Sequence, residues 1–141
     1  MSVRIGINGF GRTGRALYRA ILERGLPIEV VAVNDLGSAE QLGRLLARDS
    51  VHGGLPVALA VGEDQIVAGY QHTTVLGQPE PSRLPWADLG VEVVVDSTGK
   101  AKDRERAAVH LAKEDRKIGT DKLDVVGCGR QSRLRGCASN R

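Results

Sequence analysis

The chain has 141 residues, 41% of them hydrophobic and 26% charged, which suits one domain with a core of its own and excludes a fibrous or low-complexity protein. It opens without the apolar block of a secretion signal, and no run reaches the roughly 18–20 apolar residues that span a bilayer, so a soluble, cytoplasmic protein with no membrane partner is expected. The net charge of +3 is unevenly spread: residues 1–112 hold twelve Lys and Arg against thirteen Asp and Glu, and residues 113–141 hold eight against four.

Val3 to Ile7 reads as a strand. It leads into Asn8-Gly9-Phe10-Gly11-Arg12-Thr13-Gly14-Arg15, where Gly9, Gly11 and Gly14 have the spacing G-x-G-x-x-G. A helix from about Gly11 to Arg24 follows, with Leu17, Ala20 and Ile21 at helical spacing and Gly25-Leu26-Pro27 ending it. Glu29 to Val33 is a compact β-branched run that suits a strand covered on both faces, and Asn34 and Asp35 close it, Asp35 lying 21 residues past Gly14. Strand, glycine turn, helix, strand and acid in that order mark a dinucleotide-binding βαβ unit.

Each position has a physical reason. Gly9 lets the chain turn sharply, Gly11 removes a Cβ that would hold the backbone away from a pyrophosphate, and Gly14 lets helix and sheet pack closely. Unpaired N–H groups at the helix start then face the phosphates. Asp35 would accept hydrogen bonds from ribose hydroxyls and repel a 2′-phosphate, so the expected cofactor is NAD rather than NADP. A glycine turn without a ligand is the bland alternative, and it requires none of the flanking features.

Ser38 is placed to cap a second helix through about Ala47, and Asp49 to Gly54 has loop composition. From Leu55 to Leu76 short apolar pieces, Val57–Val61 and Ile66–Gly69 among them, read as antiparallel hairpins. Gly77 to Pro85 carries Pro79, Pro81 and Pro85 and reads as a surface connection. Val91 to Asp96 is a further buried strand, Ser97-Thr98-Gly99 a turn, and Ala101 to Lys113 a helix with Ala107, Ala108, Leu111 and Ala112 as its apolar stripe. Beyond Lys113, Ile118 and Leu123–Val126 support one weak strand before an unfolded, arginine-rich end. The fold class expected is α/β, Rossmann-type and doubly wound, with a mostly parallel sheet, helices on both faces and an antiparallel hairpin insertion. Its domain is residues 1–112, and residues 113–141 form a divergent basic tail.

The strings Val3-Arg4-Ile5-Gly6-Ile7-Asn8-Gly9-Phe10-Gly11-Arg12, Glu29-Val30-Val31-Ala32-Val33-Asn34-Asp35, Arg48-Asp49-Ser50-Val51-His52-Gly53, Leu84-Pro85-Trp86 and Asp96-Ser97-Thr98-Gly99 closely resemble the amino-terminal, NAD-binding domain of phosphorylating glyceraldehyde-3-phosphate dehydrogenase. The resemblance covers roughly Met1 to Ala112, and a sister enzyme acting on erythrose 4-phosphate is the close competitor to it. It implies aldehyde oxidation with hydride transfer to NAD, in glycolysis. It also implies a cofactor site made of Asn8, Gly9, Phe10, Gly11, Arg12, Thr13, Gly14, Asn34, Asp35, Ser97, Thr98 and Gly99. Arg12 and Thr13 would lie beside the pyrophosphate, and Ser97 to Gly99 on the adenine side.

The chain departs from the family at Thr13, where Ile is usual, at Pro79, where an arginine commonly meets adenine, and at Lys100-Ala101. The family's S-C-T-T-N nucleophile string does not occur in these residues, so no catalytic residue is expected here and the chain alone should be inactive. The family register fails after Ile118, as a truncation before the catalytic domain, a frame change or divergence would leave it. A non-catalytic NAD-binding module, or a piece that joins its own copies or full-length dehydrogenase subunits, is the alternative function.

Cys128 and Cys137 read as plain tail cysteines, with neither disulfide nor zinc expected. His52, His72 and His110 are expected to be exposed or locally hydrogen-bonded. The arginine tail lacks aromatic residues for base stacking, so nucleic-acid binding is not expected. With the family's next strand lost, the ladder edge beside Val91–Asp96 is expected to lie open unless Leu123–Val126 or another chain covers it.

Overall fold

The computed structural model describes residues 2–100, 109, 117–120 and 125–127. In chain order these form β1 (Val3–Asn8), α1 (Arg12–Arg24), β2 (Ile28–Asn34), α2 (Ala39–Ala47), β3 (Arg48–Asp49), β4 (Gly53–Gly54), β5 (Leu59–Val61), β6 (Gln65–Ala68), β7 (Gln71–Leu76), a short 3₁₀ turn (Pro81–Arg83), β8 (Val93–Asp96), β9 (Lys117–Thr120) and β10 (Val125–Gly127). The sheet order is β10-β9-β8-β1-β2-β7-β6-β5, and β3 pairs only with β4. The five central strands β7, β2, β1, β8 and β9 run parallel. This is the doubly wound order, with β7 as the third strand of the first half and β1 next to β8 at the switch point. The expected hairpins are the antiparallel meander β5-β6-β7.

α1 and α2 pack on one face of the sheet. Tyr18, Ile21 and Leu22 of α1 and Leu42 and Leu46 of α2 meet Ile5, Ile7, Val30, Val33, Ile66 and Ala68, and each fully buried aliphatic side chain contributes roughly 2 kcal/mol. The rings of Phe10 and Tyr18 meet edge to face at 5.6 Å. Thr73 donates its hydroxyl hydrogen to the Val30 carbonyl, so the Tyr18 hydroxyl, 3.0 Å away, is the donor to Thr73 Oγ1. Burial pushes the Tyr18 phenol up to about 12. α2 begins on a complete capping box, with Ser38 Oγ accepting from the Gln41 N–H and Gln41 Oε1 accepting from the Ser38 N–H.

The opposite face is covered by Leu84, Trp86 and Val91 against Val31, Ala32 and Val94. The β1–β2 register slips between Ile5 and Gly6, at the point where the Trp86 ring lies against Gly6. A Cβ on Gly6 would sit 2.5 Å from Trp86 Cζ3. The helix expected over Ala101–Lys113 lies, apart from Val109, outside the described residues, as do His110, Cys128 and Cys137.

Two expectations need correction. The ladder edge beside β8 carries β9, in register from Val93–Lys117 to Asp96–Thr120, and β10 then pairs antiparallel with β9. A single good strand former, Ile118, gave little sign of this, because a central parallel strand is held by its neighbours as much as by its own propensity. The Asp49–Gly54 loop contains a small hairpin, β3–β4. Asp49 Oδ1 accepts from the N–H groups of Val51 and His52, which with the His52 side chain holds the carboxyl down to about 2. Buried Arg19 anchors this hairpin, donating to the carbonyls of Leu46 at 2.6 Å and Gly53 at 3.1 Å.

Candidate functional site

β1 ends at Asn8, and Gly9 turns the chain with a φ of +88°. A Cβ there would sit 2.8 Å from the Thr98 nitrogen as well as in the left-handed region. Gly14, in the first turn of α1, faces the Gly9 carbonyl, Ser97 Oγ and Ile7, where a Cβ would sit 2.5, 2.9 and 3.2 Å away. Ser97 Oγ donates to the Gly9 carbonyl and the Ser97 N–H to the Asn8 carbonyl, so the two turns that follow β1 and β8 are tied together. Gly9 and Gly14 are thus required by the protein's own packing.

Gly11 is different. Its φ is −80°, which any residue can adopt, and among the described residues a Cβ on it would meet no atom within 4 Å beyond its chain neighbours. It is the N-cap of α1, yet no side chain caps that end and its first turn holds no acidic residue. The leading N–H groups of the helix therefore keep their donors and their positive potential for an outside acceptor.

Above this turn, at the carboxyl ends of β1, β2 and β8, lies a cavity of about 570 Å³, within the usual size of a cofactor site. Of the residues proposed from the sequence as the cofactor site, Asn8, Gly9, Gly11, Asn34, Asp35, Ser97 and Thr98 line it. Asp35 stands on its rim, one carboxylate oxygen accepting from the Phe10 N–H at 2.9 Å and the other from the Gly37 N–H at 3.3 Å. Two backbone donors thus aim the carboxylate while leaving lone pairs for further donors such as sugar hydroxyls.

The other expected site residues are placed differently. The Phe10 ring is in the core and its N–H is used on Asp35. Gly14 is buried beneath the turn, and Arg12 and Thr13 are exposed on α1. These four and Gly99 do not line the cavity. Asn8 and Asn34 line it, but their amides are bonded to one another at 2.8 Å.

Leu36, Gln78 to Pro81, Asp96, Lys100 and Val109 also line the cavity and were not read as site residues. Asp96 had a signal, since it ends a strand at the switch point, where ligands sit in such sheets. For Gln78 to Pro81 the residues themselves read only as a proline-rich connection, the resemblance alone placing Pro79 near adenine, and the segment's return to the β2 end is a tertiary fact. Among the described residues no group of His, Cys, Asp and Glu is placed to hold a metal, and no helix is long and apolar enough to cross a membrane.

Comparison with known proteins bears on the same turn and cavity. The sequence profile of the family described as "Glyceraldehyde 3-phosphate dehydrogenase, NAD binding domain" matches residues 3–104. Curated relatives include glyceraldehyde-3-phosphate dehydrogenase of Thermotoga maritima, 44% identical over 89% of this chain and 40% of the relative. The corresponding figures are 47%, 79% and 33% for glyceraldehyde-3-phosphate dehydrogenase 1 of Streptomyces avermitilis, and 45%, 84% and 35% for the Geobacillus stearothermophilus enzyme. The chain thus spans 33–40% of the length of these relatives.

Proposed function

The chain belongs to the glyceraldehyde-3-phosphate dehydrogenase family, as its NAD-binding domain, and from that premise we propose how NAD is held and what the chain does with it. The diphosphate lies over Gly9 and Gly11 against the uncapped start of α1, with Arg12 and Thr13 beside it. Asp35 grips the adenosine ribose, and Ser97 to Gly99 flank the adenine side. The observation that supports this reading best is Gly11, a glycine that neither backbone strain nor packing requires, at the foot of a cavity of cofactor size. A methyl group there would take the space a phosphate needs.

When bound, NAD supplies a hydride acceptor for aldehyde oxidation, and in this reading the chain is the cofactor-holding part of such an oxidoreductase in the cytosol. The 141 residues contain no S-C-T-T-N string, so the chain alone holds NAD without oxidising aldehydes. Calorimetric titration of the full chain should give saturable NAD binding, weakened about tenfold or more in Asp35→Ala, since a carboxylate bonded to hydroxyls is a charge-assisted pair. Absence of binding by folded protein would overturn the reading. Steady NADH formation from glyceraldehyde 3-phosphate and phosphate would overturn the inactivity. The same missing string supports a second reading, a non-catalytic module that joins its own copies or full-length dehydrogenase subunits. Failure to co-purify with an intact relative, with only monomers in solution, would count against it.

A further inference from the structure

Asn34, Asn8 and Asp96 are register partners across β2, β1 and β8, and they end those strands in one row. All three are buried, at 6%, 3% and 4% exposure. Their side chains form a hydrogen-bonded series. The Gln78 N–H donates to Asn34 Oδ1, and the Gln78 carbonyl accepts from Asn34 Nδ2, both at 2.9 Å. Asn34 Nδ2 also donates to Asn8 Oδ1 at 2.8 Å, and Asn8 Nδ2 donates to Asp96 Oδ2 at 3.1 Å. Asp96 Oδ1 accepts from the Thr98 N–H at 3.0 Å and the Thr98 hydroxyl at 2.7 Å. The series therefore connects the two walls of the cavity, the segment after β7 and the turn after β8.

The direction of this series is set at both ends. A backbone N–H only donates and a carbonyl only accepts, so the peptide of Gln78 prevents the Asn34 amide from turning over. Asn34 must then offer its NH₂ to Asn8, and Asn8 must face it with oxygen and offer its own NH₂ to residue 96. At the far end the Thr98 N–H also needs an acceptor. Residue 96 thus meets donors from both sides, which a carboxylate satisfies and an amide does not.

We propose that Asp96 is a positioning residue for the NAD site: its carboxylate terminates the amide series and so holds Gln78–Pro81 and Ser97–Gly99 at the spacing the cofactor requires. This rests on the NAD reading above. With an amide at residue 96 two NH₂ groups would face each other, and the free protein would relieve the mismatch by parting the walls. Binding would then draw on a minor, closed population, which lowers apparent affinity in proportion.

The test is NAD titration of the full chain and two variants, with folding checked by Trp86 fluorescence. Asp96→Asn, isosteric with the native residue, should weaken NAD binding about tenfold, since a mismatched buried donor is costly. The exchange Asn8→Asp with Asp96→Asn moves the carboxylate one link along and again gives each donor of this series an acceptor. It keeps the net charge and should restore affinity to within about threefold of the native chain. If Asp96→Asn alone does not fold, recovery of both folding and binding in the exchange supports the same conclusion. Native affinity in Asp96→Asn, or no recovery in the exchange, overturns the proposal, whereas failure of the native chain to bind NAD overturns the cofactor reading instead.

Discussion

The two sides of β1 use glycine for opposite ends. On the face covered by Trp86, Gly6 is filled around by the protein itself, and a Cβ would sit 2.5 and 2.7 Å from two ring carbons. At the turn beyond the strand, Gly11 has open space where its Cβ would be. The first glycine belongs to the core, and replacing it should be read in stability. The second is left open by the core, and replacing it should be read in binding. The contrast separates a packing requirement from a ligand requirement within one strand and its turn.

Gly6→Ala should cost the most. Trp86 is 1% exposed and cannot swing away freely, so overpacking should destabilise the fold by about 2–3 kcal/mol. Urea unfolding followed by the fluorescence of the single Trp measures this. An unshifted midpoint would break the contrast at its packing end.

The helix-covered face offers a second probe, comparable or slightly smaller. The Tyr18 pKa is raised from 10.0 to about 12 by burial, so the folded state favours the neutral phenol. The associated stability is fully present below pH 10 and is lost as pH rises from there toward 12, by on the order of 2 kcal/mol. Denaturation midpoints should fall across that window in the native chain and fall less in Tyr18→Phe. Parallel curves would show that Tyr18 ionisation is not coupled to folding.

Ser38→Ala should have the smallest effect on stability, about 1 kcal/mol, through loss of the cap on α2. It should leave NAD affinity within about twofold, because Ser38 is not among the cavity-lining residues. A larger change in affinity would mean that α2 takes part in the site.

The parts legible in the sequence are those governed by neighbours in the chain. The glycine turn, the capping of α2 by Ser38, the end of α1 at Gly25 and the placement of Asp35 after β2 all depend on short spacings, and the structure places them as expected. The Trp86–Gly6 contact and the Asn34–Asn8–Asp96 series join residues far apart in sequence, and an asparagine ending a strand looks the same whether it faces a ligand or another asparagine. β9 was obscure for a related reason: Lys117-Ile118-Gly119-Thr120 has little strand character of its own and is placed by β8. Arg19 shows the limit of periodicity, since its position on α1 marks it as inward-facing while its charge argues for solvent. The carbonyls of Leu46, Gly53 and Gly54 settle the matter.

NAD binding depends on the open space at Gly11, and comparing the native chain with Gly11→Ala in one calorimetric series tests this most directly. The expected result is a fold no more than about 1 kcal/mol less stable with NAD affinity reduced about tenfold or more, because the added methyl enters the phosphate's space. Equal affinity in the two proteins would contradict it.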